Sequence, residues 1–198
     1  MLKEYKKKLT GGYTIIETMI ALSIFLIVIV IGIGSLLNAH LVSKKSQDTR
    51  SIIDGLSFTM EDMSRNIRTG YDYKCLEQGN SYVQGELENV QSCKNGYGIA
   101  FEYGEGAQGD STDQWVYYIY KGKLYRSTDG LTNSIQMTPD EVEVNASTSS
   151  FSVLGAEKTD TQQPLVIIRL AGQIKSGSNT TSFSLQTAVS QRVSDITI

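Results

Sequence analysis

The feature that most constrains this chain is a long uncharged stretch near its N-terminus. No Asp, Glu, Lys or Arg occurs from Thr18 to Ser43, and the core of the stretch, Met19 to Leu37, is rich in Ile, Val and Leu. At about 1.5 Å per residue, a helix over this core is roughly 29 Å long, close to the hydrocarbon thickness of about 30 Å. The sequence therefore predicts one membrane-spanning helix at about residues 18–37.

The charges that flank the span predict its orientation. Four lysines and Glu4 precede it, whereas Lys44 and Lys45 follow it. Because the larger excess of cations lies on the leading side, the positive-inside rule keeps that end in the cytoplasm. We expect a single-pass protein of the cytoplasmic (inner) membrane, with its C-terminal domain outside the cytoplasm.

Beyond the span, a one-sided apolar pattern replaces the continuous one. Apolar residues recur at spacings of three and four, at Ile52, Ile53, Leu56, Met60, Met63 and Ile67. No proline occurs before Pro139, and Gly70 is a suitable helix C-cap. The sequence predicts one helix from Thr14 to about Thr69, apolar all round in its first half and on one face in its second half.

After Gly70 the composition shifts to Gly, Ser, Thr, Asn and Tyr. Strands are predicted at Gly98–Tyr103, Gln114–Tyr120, Lys123–Arg126, Phe151–Leu154, Leu165–Ala171 and Ser182–Val189. Lys121-Gly122 fits a tight hairpin turn, and the continuous apolar run that begins at Leu165 predicts an interior strand. The expected fold class is α+β, in which the amphipathic half of the helix covers a β-rich domain of residues 71–198.

Two cysteines, Cys75 and Cys93, lie in the predicted β-rich domain. In an exported domain they most simply pair as a disulfide, and two buried free thiols are the alternative. A disulfide that closes the loop between Cys75 and Cys93 would stabilise the fold by about 3 kcal/mol.

A short motif, Gly11-Gly12-Tyr13-Thr14-Ile15-Ile16-Glu17, opens the apolar span. It resembles the processing site of type IV prepilins and pseudopilins, in which a peptidase cuts after the glycine and methylates the new N-terminus. The resemblance implies a leader peptide of residues 1–12, cleavage between Gly12 and Tyr13, N-methylation of Tyr13 and a role for Glu17 in assembly. Phenylalanine is commoner in the family where this chain has Tyr13, and the aromatic ring is kept.

Glu17 also supports this interpretation on physical grounds. A carboxylate near the membrane interior costs about 2–3 kcal/mol or more. The N-terminal amine of Tyr13 in a neighbouring subunit would be a cation at similar depth, and the pair would fix the stagger between subunits. The alternative is an interfacial glutamate that reaches the lipid headgroups.

Further expectations follow from the resemblance. It implies the type IV pilin fold, with the N-terminal helix in residues 13–70, and a structural subunit of a type IV pilus or of a related type II secretion or competence pseudopilus. The segments Leu56–Arg68 and Phe183–Arg192 resemble minor pilins and J-type minor pseudopilins, which favours a minor subunit. Gly32 and Gly34 weaken the span by about 1 kcal/mol each, which fits either local loss of helix on assembly, as the family implies, or close helix packing.

The implied partners are other pilin-like subunits through helix–helix packing, prepilin peptidase, the inner membrane and the pilus assembly platform. Nucleic acid is a partner only if the filament is a competence pilus. Without the first twelve residues the chain has 14 basic and 20 acidic residues, so its surface as a whole does not favour DNA. The assembled subunit is expected at the cell surface or in the periplasm.

An enzyme is not expected, and we predict no catalytic residue, no metal site and no cofactor. The single histidine, His40, lies at the edge of the span, so the β-rich domain has none for a triad or a metal site. Four loop carboxylates are interpreted as solvated turn residues rather than as a calcium site, namely Asp110, Asp113, Asp129 and Asp160.

Two alternatives remain open from the sequence. The aromatic residues Trp115, Tyr117, Tyr118 and Tyr120 are interpreted as core, and a surface for a ligand or DNA is the alternative. The chain as a whole could also be a membrane-anchored adhesin or ligand-binding domain that does not assemble. Cleavage by ordinary signal peptidase after Gly34 would release a soluble domain instead, but would leave the Gly12–Glu17 motif unexplained.

Overall fold

The structure is a computed structural model that describes residues 11–77, 89–107, 110, 112–158, 162–176 and 179–192. The chain divides into two compact units, Met1–Ser46 and Gln47–Ile198. The described elements are α1 (Ile15–Thr69), β1 (Tyr71–Glu77), β2 (Cys93–Glu102), β3 (Trp115–Tyr120), β4 (Lys123–Ser127), β5 (Ile135–Gln136), β6 (Val142–Val144), β7 (Ser150–Leu154), β8 (Leu165–Ser176) and β9 (Asn179–Ser190). Most of the predicted leader, residues 1–10, lies outside the described residues.

The strands form one antiparallel sheet, which confirms the α+β class. The strand order is β5-β4-β3-β2-β7-β8-β6, and in addition β1 pairs with β2 and β9 pairs with β8. β8 is an interior strand, as its continuous apolar run predicts, because it pairs with β6, β7 and β9. The β8–β9 pairing extends without a shift from Leu165↔Ser190 to Ser176↔Asn179.

The C-terminal half of α1, residues 47–69, packs on one face of the sheet. Its apolar stripe is the predicted one, because Leu56, Met60, Met63 and Ile67 are buried and Ile52 and Ile53 pack against them. The core residues of the sheet in the same cluster include Phe101, Tyr117, Leu124, Phe151, Ile168 and Leu170. Burial of a large apolar side chain contributes about 1.5–3 kcal/mol, so this stripe is what holds the helix on the sheet.

The helix ends before Gly70, as predicted, but the glycine is required for a different reason. Gly70 donates backbone hydrogen bonds to Asn66 and Ile67 and does not have the positive φ of a left-handed cap. A Cβ atom at this position would lie 2.3 Å from Cδ2 of Phe101. The hydroxyl of Tyr73 lies 2.7 Å from the carbonyl oxygens of both Ile67 and Gly70 and satisfies the helix end.

The β3–β4 hairpin confirms the predicted tight turn. Tyr120 pairs with Lys123, and the two residues between them, Lys121 and Gly122, have φ angles of 46° and 74°. Positive φ at both central positions is the type I′ geometry that matches the twist of the flanking strands.

Three strands, β1, β5 and β6, were not predicted. They form because they pair with neighbouring strands. β5 and β6 are two and three residues long and exist only as ladders on β4 and β8. β1 carries the polar residues Asp72 and Lys74 and has two register shifts against β2. Such segments lack a clear alternation of their own, so pairing rather than local sequence decides their conformation.

Polar contacts also join α1 to the sheet. The carboxylate of Asp62 lies 3.2 Å from the guanidinium of Arg126, whose carbon lies 5.5 Å from the centre of the Trp115 ring. Asn66 donates a hydrogen bond of 3.0 Å to the hydroxyl of Tyr117. These contacts fix the rotation of the helix about its axis, which a purely apolar stripe leaves less well defined.

The aromatic residues of β3 divide between the two faces of the sheet. Tyr117 is completely buried against the helix, as the core interpretation expects. Tyr118 belongs to a second, smaller cluster with Ala100 and Val116 and stacks on Tyr125 with ring centres 5.4 Å apart. Tyr120 is 54% exposed, so the core interpretation is wrong for this one side chain.

Candidate functional site

The predicted cleavage point lies in an exposed segment that precedes the helix. Residues 11–14 have no regular secondary structure and are exposed. A Cβ atom at Gly11 or Gly12 would meet no atom within 4 Å. The backbone between Gly12 and Tyr13 is therefore open to a peptidase.

Glu17 lies in the first turn of α1, and Thr14 caps its backbone N–H, a contact that the sequence predictions missed. Thr14 precedes the helix, its hydroxyl accepts a hydrogen bond of 3.4 Å from the Glu17 N–H, and its carbonyl accepts one of 3.1 Å from the same group. The sequence Thr14-x-x-Glu17 is the capping-box pattern, and a carboxylate here interacts favourably with the helix dipole. The Thr-x-x-Glu spacing was the signal that could have identified this contact.

The Glu17 carboxylate has no ion pair among the described residues. Its side chain is exposed at the start of a strongly apolar surface. An unpaired carboxylate is well solvated in water, whereas in an apolar environment it carries a large free-energy cost. The geometry thus leaves Glu17 available to a cation from outside the chain.

The N-terminal half of α1, residues 15–46, exposes apolar side chains around its whole circumference. All five buried residues of the helix lie in its C-terminal half. Contiguous exposed apolar surfaces of this kind mark membrane or protein contacts. The helix is long enough and apolar enough to cross a membrane, and it continues unbroken through Gly32 and Gly34.

Cys75 and Cys93 are joined by a disulfide in the structure. Their Cα atoms are 5.7 Å apart, and the bond links β1 to the start of β2. Gly96 makes room for it, because a Cβ atom there would lie 2.5 Å from the Sγ atom of Cys75. The disulfide is buried in the main core of the sheet domain.

The loop carboxylates are engaged in turns of their own. Asp129 accepts hydrogen bonds from the Asn133 backbone and side chain and from the Ser127 hydroxyl, and these bonds lower its pKa. The hydroxyl and backbone N–H of Thr112 likewise lower the pKa of Asp110. Asp113 accepts a hydrogen bond of 2.7 Å from the Ala107 N–H.

Asp160 falls outside the described residues. Across the part of the chain that the structure describes, no group of three or more His, Cys, Asp and Glu side chains is placed to hold a metal ion. His40 lies exposed on α1.

The site residues fall into separate regions. Gly12, Tyr13 and Glu17 lie together at the start of the helix, and the disulfide lies in the sheet. The described loop carboxylates lie in two turns, one shared by Asp110 and Asp113 and one that contains Asp129. No known protein family matches the chain, and no similar characterised protein or solved structure is found. The functional conclusion therefore depends on the residues and geometry of the chain itself.

Proposed function

We propose that this chain is a structural subunit of a type IV pilus or of a related type II secretion or competence pseudopilus, with the type IV pilin fold. It is a minor subunit in this proposal, and it is not an enzyme. The observation that carries the proposal is an exposed Gly12–Tyr13 junction and an unpaired Glu17 at the start of an apolar helix that is exposed on all sides.

Prepilin peptidase would cut the exposed junction and methylate the new N-terminal amine of Tyr13. The peptidase works at the membrane, and the cations of residues 1–10 would hold the leader on the cytoplasmic side. Before assembly the subunit is a single-pass protein of the inner membrane with its sheet domain outside the cytoplasm.

The apolar surface of residues 15–46 explains how such a subunit is stored and then assembled. A lipid bilayer covers it first, and the equivalent helices of other subunits cover it in the filament. Because lipid tails and apolar side chains are similar solvents, van der Waals packing and polar contacts must drive the exchange. The assembly platform supplies the work of extraction.

Glu17 supplies the polar contact that this exchange requires. Its carboxylate pairs with the Tyr13 amine of a neighbouring subunit in surroundings of low dielectric constant. Since that amine exists only after cleavage, processing and assembly are coupled. The pairing also sets the axial position of each new subunit.

The substitution Glu17→Ala tests the proposal in cells that make the filament. We expect normal processing, seen by intact mass and N-terminal sequencing as a methylated chain that begins at Tyr13. Incorporation into sheared filaments should fall by at least about tenfold, since leaving one partner of a buried ion pair alone costs about 3–5 kcal/mol.

Glu105→Ala is the matched control, because Glu105 is an exposed carboxylate in a loop of the sheet domain. It should leave incorporation unchanged. Unchanged incorporation of Glu17→Ala would refute the ion-pair role. A wild-type chain that begins at Met1 or Ser35, or that never enters filaments, would refute the pilin assignment and favour an anchored, non-assembling domain.

A further inference from the structure

A polar groove runs along β8 and β9, on the face of the sheet opposite to the one that residues 47–69 of α1 cover. It consists of two adjoining depressions of about 590 Å³ and 630 Å³. Both are bordered by Ala146, Thr148 and Ala171, so they form one continuous feature. Each volume lies within the range of about 300–1,000 Å³ that is typical of ligand sites.

The alternation of β8 creates the floor of the groove. Ile168 and Leu170 are buried on the helix side, whereas Arg169 and Ala171 alternate with them and line the groove. Ala171 pairs with Ser184 on β9. The floor therefore consists of short side chains, with one long cation at its end.

The wall of the groove is the turn at residues 145–149, between β6 and β7. The Asn145 N–H donates a hydrogen bond of 2.8 Å to the Ala171 carbonyl. The Ser149 hydroxyl lies 2.9 Å from both the N–H and the carbonyl oxygen of Ala171. Because the wall is bound to the floor, the groove is formed before any ligand arrives.

The groove offers mainly hydroxyl and amide groups to a ligand. Polar side chains that line it are those of Asn95, Ser147, Thr148, Ser150, Gln173 and Ser184. Its two large apolar side chains, Val144 and Phe183, are buried in the core. Such a lining suits a ligand that is rich in hydroxyl groups rather than a peptide with apolar anchors.

Arg169 favours a ligand that carries a negative charge. It is exposed and has no ion pair or hydrogen bond from its guanidinium among the described residues, whereas Arg126, Lys158 and Lys175 each pair with a carboxylate. A guanidinium presents a planar fork of donors that fits a carboxylate in two hydrogen bonds. Glu143 borders the far end of the groove, where Lys175 neutralises it.

We propose that this groove binds an acidic oligosaccharide, in which a sugar carboxylate pairs with Arg169 and the sugar hydroxyls bond to the serine, threonine and asparagine side chains. None of the residues that border the groove belongs to α1. The proposal assigns a role in ligand recognition to the face of the sheet that carries Arg169.

The test uses the full chain in phosphatidylcholine nanodiscs and a hexamer of galacturonic acid, with calorimetric measurement of binding. The same hexamer as its methyl ester is the neutral control, because it keeps the hydroxyl groups and loses the carboxylates. We expect Arg169→Gln to weaken binding of the acid by about tenfold, because the hydrogen-bonded charge pair between the guanidinium and the sugar carboxylate is lost. The affinity of Arg169→Lys for the acid should lie between those of the wild type and Arg169→Gln, since lysine keeps the charge but lacks the planar fork of donors.

Lys158→Gln is the matched control outside the groove and should bind within about twofold of the wild type, because its ammonium is exposed and already paired with Asp72. Arg169 is exposed, so its replacement leaves the fold intact. Equal affinities for the acid and the ester, equal affinities of the wild type and Arg169→Gln, or no binding of the acid would each overturn the proposal.

Discussion

The two halves of α1 share one backbone and differ in what covers them. Leu26 in the N-terminal half is 54% exposed, and Leu56 in the C-terminal half is completely buried. The glycines show the same contrast, because a Cβ atom at Gly34 would meet nothing within 4 Å, whereas one at Gly70, just past the helix end, would collide with Phe101. The same type of side chain therefore serves the fold in one half and is left for an outside partner in the other.

This contrast shows that helix formation and helix function are separable here. In the C-terminal half, the sheet accepts an apolar stripe and polar contacts fix its rotation. In the N-terminal half, every side of the helix is apolar and exposed, so the stabilising contacts must come from lipid or other chains. Substitutions in the two halves should accordingly affect different measurements.

The largest expected difference comes from Leu56→Ala compared with Leu26→Ala. Leu56→Ala should lower the free energy of unfolding of the sheet domain by about 2–5 kcal/mol, through lost burial and a cavity. Leu26→Ala should change it by less than about 0.5 kcal/mol. Urea unfolding in nanodiscs, followed by the fluorescence of the single Trp115, measures both. Equal effects would mean that the two halves are not independent.

A smaller difference is expected for glycine substitutions. Gly70→Ala should destabilise the sheet domain by about 1–3 kcal/mol, because its methyl group forces Phe101 or the helix end to move. Gly34→Ala should leave domain stability unchanged and strengthen the helix locally by about 1 kcal/mol. The same unfolding measurement, with far-UV circular dichroism for helix content, distinguishes them. A neutral Gly70→Ala would show that Phe101 relaxes freely.

The smallest effect is expected at the polar contact between helix and sheet. Burial raises the pKa of Tyr117 to about 12, and the hydrogen bond from Asn66 partly opposes this. Because the unfolded chain loses this proton at about pH 10, the contribution of Tyr117 is complete below pH 10 and is lost between about pH 10 and 12. Tyr117→Phe should cost about 1 kcal/mol at neutral pH.

The same variant should also reduce the fall in stability between about pH 10 and 12, which reaches at most about 1.4 kcal/mol per pH unit for one group. Tyr120→Phe is the control, since Tyr120 is largely exposed. This variant should keep the wild-type slope of stability against pH. If both variants retain that slope, Tyr117 does not control stability at high pH.

Sequence patterns predicted the elements whose periodicity is strong. The helix face from Ile52 to Ile67, the stop before Gly70 and the Lys121-Gly122 turn all follow from spacing and backbone preference. β1, β5 and β6 could not be predicted in this way, because their hydrogen-bond partners are distant in sequence. Tyr120 was assigned to the core because alternation alone does not reveal how far a sheet is covered.

The functional residues likewise differ in whether the sequence alone identifies them. The processing motif and Glu17 are contiguous, so the sequence alone identifies them as a unit. The capping contact between Thr14 and Glu17 was detectable from spacing and was missed. The groove around Arg169 was not detectable, because Asn95, Ser147 and Ser184 come together only through strand pairing.

By itself, the sequence determined a long helix with an apolar, membrane-sized N-terminal half and a one-sided C-terminal half, because a helix places residues three and four apart on one face. Only the tertiary structure decided which residues the sheet covers, why Gly70 must be glycine and where Arg169 finds its hydroxyl-rich neighbours. Those features depend on contacts between distant segments, and local preference carries no information about them.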